Sequence, residues 1–271
     1  NIQIYNKIMI FKSQKIIKGK KMEDISLMIE VTRRCNFSCG HCLRGEAQNK
    51  DLDIFKFRRY LIDEGIKYIN HLTITGGEPL MAVKQLKEIA AELRWGNVGL
   101  GTVYIATNGS YFTPEAMEAV YEIYRLSEAI SIQVSNSQWH KDERSRLEVP
   151  YISTNSELEE YMNEKLQDKF MEEFPDDMED PNFFEYHKDV KYSDIFYMLN
   201  DEYFSVTPDT RSYKKILIQG RAEDIGNEQL ELGKEDSDEN FFYFSVAGEI
   251  VKQSDLSFKN IRKQRIKKIV L

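Results

Sequence analysis

Cysteine, proline and tryptophan are scarce in this chain of 271 residues, which contains three, six and two of them. Three cysteines cannot form a disulfide framework, because one stays unpaired and all three lie within eight residues. No apolar run approaches the roughly 18 residues that a membrane span needs. The first residues also lack the long apolar block of a secretory signal. A cytoplasmic location is therefore expected.

Positive charge is in the minority, since 45 acidic residues against 37 lysines and arginines give a formal net charge of −8. A nucleic-acid backbone is therefore not expected to be the main partner. A hydrophobic content of 41% and an aromatic content of 12% predict a folded globular protein rather than a disordered one.

The three cysteines, Cys35, Cys39 and Cys42, directly follow an apolar stretch, at spacings of four and three residues. Clustered thiols without a disulfide pattern indicate a metal site. Thiolates are the ligands of iron–sulfur clusters, and with three thiols one iron of a four-iron cube would take a ligand from elsewhere. Zinc is an alternative, because His41 could supply a fourth ligand. Unliganded thiols are a further alternative.

The first half of the chain alternates nearly all-apolar, strand-like stretches with amphipathic, helix-like ones. That pattern is typical of parallel strands covered by crossover helices, in an α/β barrel or an open sheet. The predicted strands are 26–32, 71–75, 103–107 and 129–135, and the predicted helices are 53–64, 81–93 and 114–126.

The alternation ends after Ser135, where an acidic part begins. Residues 141–202 contain 19 acidic and 7 basic residues. A long amphipathic helix is predicted over roughly 156–173, because apolar residues recur there every four positions. They are Leu158, Met162, Leu166 and Phe170.

Strand character returns near residue 203, and the predicted strands of this last part are 203–207 and 215–219, followed by a hairpin over 241–253. Four parts are therefore predicted: an N-terminal extension over 1–25, a barrel core over 26–135, an acidic insertion over 136–202 and a final part over 203–271.

The cysteine loop, C-N-F-S-C-G-H-C, resembles the CxxxCxΦC motif of the radical S-adenosylmethionine (SAM) superfamily, with His41 at the usually aromatic position. Three segments resemble further elements of that family in the same order: T-G-G-E-P over 75–79, T-N-G over 107–109 and I-Q-V-S over 132–135. Segment 216–223 is similar to the family's adenine motif, with Ile216 in place of its first glycine.

The resemblance implies that Cys35, Cys39 and Cys42 hold a [4Fe-4S] cluster and that SAM binds its fourth iron. The SAM-binding residues implied are His41, Gly76, Gly77, Glu78, Pro79, Thr107, Asn108, Gln133, Ser135 and Arg221. Gln133 departs from the family, because many members have Asp there or two residues after Ser135. The segment S-N-S-Q-W-H resembles a family segment that ends in histidine, so His140 is a candidate substrate contact, with a structural role as the alternative.

The fold that the resemblance implies is an α/β fold, a partial (βα)6 TIM-like barrel with an acidic, mainly helical insertion and a C-terminal β-hairpin. The activity implied is reductive cleavage of SAM to a 5′-deoxyadenosyl radical that abstracts hydrogen from a substrate, with electrons from a flavodoxin- or ferredoxin-type donor. An iron open to SAM is also open to oxygen, so the enzyme is expected to be oxygen-sensitive.

Two substrate classes remain open. Gly220-Arg221-Ala222 resembles a segment of peptide-modifying members, which favours a peptide. The three cysteines leave none for an auxiliary cluster in these 271 residues, and a small molecule such as a nucleotide is the alternative. An iron–sulfur or zinc protein that binds a partner without catalysis is the non-enzymatic alternative.

Overall fold

The chain folds around one seven-stranded sheet in the computed structural model, which describes residues 25–42, 44–175, 182–209 and 241–251. The strands are β1 (Ser26–Thr32), β2 (Tyr68–Gly76), β3 (Gly99–Thr107), β4 (Ser127–Val134), β5 (Phe204–Pro208), β6 (Phe241–Phe244) and β7 (Ile250–Val251). Their order across the sheet is β5-β4-β3-β2-β1-β6-β7. All neighbours are parallel except β6 and β7, so six strands form an open parallel sheet.

Seven α-helices accompany the sheet within the described residues. They are α1 (Ile54–Asp63), α2 (Val83–Trp95), α3 (Pro114–Tyr124), α4 (Gln138–Leu147), α5 (Asn155–Glu173), α6 (Phe183–Lys191) and α7 (Ser193–Leu199). The first three each connect two neighbouring parallel strands, as crossover helices do. Two of them begin at polar caps, where Asp53 accepts from the Phe55 N–H and Thr113 from the Ala116 N–H.

The predicted α/β fold class is confirmed by this open parallel sheet with its crossover helices. Among the residues that the structure describes, none of the helices has both the length and the apolar character that crossing a membrane requires. The division of the chain into four parts stays a prediction.

The two faces of the sheet differ in chemistry because strand side chains alternate between them. One face packs against the helices, and its side chains are buried in the hydrophobic core. They include Leu27, Ile29, Leu72, Ile74, Val103, Ile105, Ile130 and Ile132. The other face is partly exposed and mostly polar. Its residues include Thr73, Thr102, Tyr104, Ser131, Gln133 and Ser205.

The long helix predicted over 156–173 is confirmed as α5. Thr154 and Glu157 form a capping box at its start. Its four predicted apolar residues are all buried. One of them, Phe170, has Phe184 and Tyr192 as edge-on ring neighbours at centroid distances of 5.6 Å each, so the aromatic residues after α5 extend the core.

The predicted C-terminal hairpin is confirmed by β6 and β7, which pair antiparallel. Between them Gly248 has a φ of 74°, a conformation that favours glycine. β6 also pairs in parallel with β1, from Ser26 opposite Phe241 to Ile29 opposite Phe244. The hairpin therefore joins the edge of the sheet beside β1, a position that the sequence did not indicate. The predicted strand 215–219 and all but the last residue of the extension 1–25 lie outside the described residues.

Candidate functional site

The three cysteines lie in the loop between β1 and α1, at the carboxyl end of the parallel strands. The Cys42 N–H donates to the Cys39 carbonyl at 3.1 Å, which forms a tight turn in the motif. Cys39 is buried, whereas Cys35 and Cys42 are partly exposed. The thiols thus lie at the sheet edge where α/β folds hold their ligands.

Hydrogen bonds hold the two ends of the cysteine loop together beside the end of β1. Asp51 Oδ1 accepts from the Thr32 hydroxyl at 2.6 Å and from Arg34 Nε at 2.8 Å. Arg34 also donates to the Met81 carbonyl at 3.2 Å. These bonds connect the start of the loop to its end and to the segment after β2, so protein contacts alone fix its base.

Gly76 and Gly77 end β2 directly against the cysteine loop. A Cβ on Gly76 would overlap the Thr32 carbonyl oxygen, and one on Gly77 would overlap the Arg34 carbonyl oxygen and lie 3.0 Å from the Cys35 Cβ. The N–H groups of Gly77 and Glu78 donate to those same two carbonyls at 2.8 Å. The paired glycines, interpreted from sequence as room for a ligand, thus make room for the chain's own cysteine loop.

Glu78 is a fully buried carboxylate, with an exposure of 0%. It accepts from the Leu80 N–H at 3.0 Å, from the Thr107 hydroxyl at 2.7 Å and from the Asn108 N–H at 2.7 Å. Pro79 begins the 3₁₀ turn (Pro79–Met81) that Glu78 caps. None of the three donors carries a charge. Burial therefore raises the Glu78 pKa to about 7, although the hydrogen bonds oppose the shift.

Asn108 connects the end of β3 to the cysteine loop. Its side-chain nitrogen lies 3.7 Å from Cys35 Sγ and donates to Asn36 Oδ1 at 3.1 Å. Its side-chain oxygen accepts from the Ser110 N–H at 2.9 Å, and Asn36 donates to the Ser110 hydroxyl at 2.9 Å. Thr107 and Asn108 are both buried; the Thr107 hydroxyl and Asn108 N–H bind Glu78, while the Asn108 side chain contacts the loop.

Cys35 holds its proton tightly in the metal-free chain. Burial, and next the negative charge of Glu78, raise its pKa to about 12. A metal ligand must be the thiolate, so metal binding at Cys35 releases a proton. Loading of the site is therefore coupled to pH.

His41 packs into a small aromatic group between the cysteine loop and α4. It stacks on Trp139 at a ring-centroid distance of 4.5 Å and meets His140 edge-on at 4.8 Å. The Ser137 hydroxyl and His140 Nδ1 are 2.7 Å apart. Burial, together with the nearby His41, lowers the His140 pKa to about 3, so its ring is neutral at physiological pH.

Arg144 was missed by the sequence interpretation, although it joins the ends of β3 and β4. It is buried, with an exposure of 4%, and donates to the carbonyls of Asn108 at 2.9 Å and Ser135 at 2.8 Å. Its guanidinium also lies 4.5 Å from the centroid of the Tyr151 ring. The sequence carries no signal for this role, since α4 is otherwise a polar helix. Gln133, partly exposed, lies on the polar face of β4.

The hairpin holds both flanks of the cysteine loop in a set of contacts that we name the clasp. It comprises Glu30, Arg33, Arg44, Tyr243 and Val246. Glu30 is fully buried and accepts from Arg33 Nε at 3.3 Å and from the Val246 N–H at 3.0 Å. Arg44 donates to the Tyr243 hydroxyl and lies 4.7 Å from the centroid of that ring. Arg33 precedes the first cysteine by two residues, and Arg44 follows the third by two.

The residues present fit a [4Fe-4S] cluster with SAM. One loop carries the three thiols, and next to it lies a buried carboxylate whose donors are uncharged, as an ammonium group of SAM would require. Within the described ranges, no three His, Cys, Asp or Glu side chains converge on a position for a single metal ion. A cluster distributes its thiolates over several irons and does not require such convergence. Arg221 lies outside the described residues.

Comparison with known proteins gives a family match for the part of the chain that holds this site. Residues 29–146 match the model of the radical SAM superfamily. Over 100 residues the chain is 31% identical to an uncharacterized protein of Methanocaldococcus jannaschii, a match that covers 36% of this chain and 35% of that protein. Over 71 residues it is 41% identical to GTP 3′,8-cyclase of Aliarcobacter butzleri, with 23% and 20% covered.

The chain thus matches between 20% and 35% of the length of these two relatives. Among solved structures, that of Streptococcus suis SuiB bound to precursor peptide SuiA aligns with 97% of this chain and 65% of that chain, at 14% identity and a TM-score of 0.40.

The family match begins in β1 and ends in α4, so it includes the cysteine loop, Glu78, Asn108 and Arg144. Residues 29–146 are thus similar to the radical SAM superfamily, whose members are enzymes that use a [4Fe-4S] cluster and SAM.

Proposed function

We propose that this enzyme binds its cluster through Cys35, Cys39 and Cys42 and holds the SAM amino group against Glu78. The observation that carries the proposal is the buried Glu78 carboxylate, which accepts three hydrogen bonds from uncharged donors beside Cys35. A buried carboxylate is stabilised in its charged form by a cation. The SAM ammonium group would be that cation.

The other residues of the site have supporting roles in this proposal. Thr107 and the backbone of Asn108 orient Glu78, and the Asn108 side chain orients Cys35. Gln133 and Ser135 lie at the end of β4 next to this group, where they would bind the ribose hydroxyls and the carboxylate of SAM. His41 would contact the adenine, and Arg221 would pair with the SAM carboxylate.

When bound, the cluster and SAM supply a 5′-deoxyadenosyl radical that abstracts hydrogen from the substrate. The residues of the chain hold the reactants and limit the access of water, since Cys39, Glu78 and Asn108 are buried. Electrons would come from a flavodoxin- or ferredoxin-type donor. The substrate would be a peptide or a small molecule such as a nucleotide.

Anaerobic reconstitution with iron and sulfide tests the proposal. We expect about four irons per chain, and 5′-deoxyadenosine after reduction in the presence of SAM. Cys39→Ala should lose both, whereas Ser38→Ala, a change at the exposed neighbour, should keep both. Uptake of zinc in place of iron, or an intact cluster in Cys39→Ala, would contradict the assignment.

A further inference from the structure

A row of hydroxyl groups crosses the polar face of the sheet. The strand registers place Thr73 beside Tyr104, Tyr104 beside Ser131, and Ser131 beside Ser205. All four are partly exposed, and residues in register on neighbouring parallel strands share a face. We name these four residues the hydroxyl row. Met28 of β1 extends it by one position, next to Thr73.

The hydroxyl row lies next to the proposed SAM site. On the same face, the next residues towards the carboxyl ends of β2 and β4 are Thr75 and Gln133. Two residues correspond to about 7 Å along a strand. From Thr75 the chain continues through the two glycines to Glu78. A molecule bound across the hydroxyl row would therefore lie about 7 Å from Thr75 and Gln133, and so next to the proposed SAM site.

The four side chains of the hydroxyl row are uncharged but rich in hydrogen-bonding groups. A hydroxyl both donates and accepts, and so it matches an amide, which offers one group of each kind. Strands β1 to β7 contain no lysine or arginine. Proteins neutralise phosphate groups mainly with those two side chains, so the described strands offer no guanidinium or ammonium group to a triphosphate.

We propose that the hydroxyl row binds an uncharged, extended peptide segment as the substrate of the radical reaction, in preference to a nucleotide. With strands about 4.8 Å apart, the row with Met28 is about 19 Å long, which about six extended residues would span. The inference rests on the proposed function, because only the radical chemistry makes a ligand at this face a substrate.

Methyl NMR of the cluster-loaded protein with SAM tests this inference. The Met28 methyl group, assigned with Met28→Leu, reports on the row. The probes are a pool of neutral decapeptides of Gly, Ala, Ser and Asn, and separately GTP. We expect the Met28 signal to shift with the peptide pool and to stay in place with GTP. A shift with GTP alone, or with neither probe, overturns the proposal.

Matched variants locate the binding site. Tyr104→Phe and Ser131→Ala each remove one hydroxyl and should weaken peptide binding about fivefold. Ser131→Arg should abolish it, whereas Ser156→Arg, at an exposed position on α5, should not change it. Unchanged binding in all three row variants would also overturn the proposal. Formation of 5′-deoxyadenosine in the same samples reports on the proposed function separately, so that either can fail alone.

Discussion

The Thr107 hydroxyl donates to Glu78 Oε1 at 2.7 Å and so connects the ends of β3 and β2. The next residue, Asn108, donates its N–H to the other carboxylate oxygen. Glu78 is therefore held in one orientation by neutral groups before any ligand binds. An acceptor oriented in this way suits a cationic ligand, because little reorganisation accompanies binding.

Glu78→Gln should weaken SAM binding about 10- to 100-fold while the iron content stays unchanged. The variant removes the charge that the SAM ammonium group would meet, and hydrogen bonds to charged groups contribute about 1.5 to 3 kcal/mol. Equilibrium binding of SAM to the cluster-loaded protein measures the effect. Glu92→Gln is the control, because Glu92 pairs instead with Arg58. Equal SAM affinity in the wild type and Glu78→Gln would remove Glu78 from the site.

The stability of the metal-free protein should depend on pH through Glu78. Its pKa is about 7 in the folded chain against an ordinary 4.5, so the folded state binds the proton more tightly. The stabilisation by this proton is complete below about pH 4.5 and disappears as the pH rises through 7. Relative to Glu78→Gln, the wild type should lose up to about 3 kcal/mol of unfolding free energy between pH 5 and pH 8. Denaturant titrations at both pH values measure it, and a difference independent of pH would be inconsistent with the burial effect.

Gly77→Ala should abolish cluster retention although it lies outside the cysteine motif. The added methyl group would overlap the Arg34 carbonyl oxygen and crowd Cys35, so the loop must shift. Gly40→Ala lies inside the motif but meets Trp139 only at an ordinary 3.5 Å. Iron and sulfide per chain after gel filtration should thus fall sharply in Gly77→Ala and stay near wild type in Gly40→Ala. The opposite order would show that the contact with Gly77 does not position the loop.

Tyr243→Phe should make the cluster more labile, because it removes the hydroxyl that accepts from Arg44. The buried Arg44 guanidinium then has one hydrogen-bond acceptor fewer. A cost of about 1 to 3 kcal/mol is expected. Loss of iron to a chelator under anaerobic conditions should be faster than in Tyr186→Phe, a change at an exposed tyrosine. Equal rates would mean that the clasp does not stabilise the loop.

Much of the parallel sheet and of its helices could be predicted from local patterns. The strand preceding the cysteines, the crossover helices and the four buried residues of α5 follow from periodicity, because each element buries one face. Glu78 was identified through the T-G-G-E-P motif. In the structure its carboxylate is buried, and its three hydrogen-bond donors are uncharged.

The remaining features depend on contacts between distant segments. The pairing of β6 with β1 joins residues more than 200 positions apart and leaves no periodic trace in the sequence. Arg144 resembles any other cation of a polar helix until its place against two strand ends is known. The glycines were recognised, but which backbone approaches them depends on the path of the cysteine loop.

The clasp also has a consequence for biogenesis. Arg44 and Tyr243 are separated by 199 residues, which a ribosome takes roughly 10 to 40 s to translate at about 5 to 20 residues per second. During that interval the nascent chain already displays all three thiols but lacks the residues that secure their loop. Iron delivered during that interval would reach a cysteine loop that the hairpin does not yet hold. We therefore expect stable cluster insertion to follow translation of the hairpin.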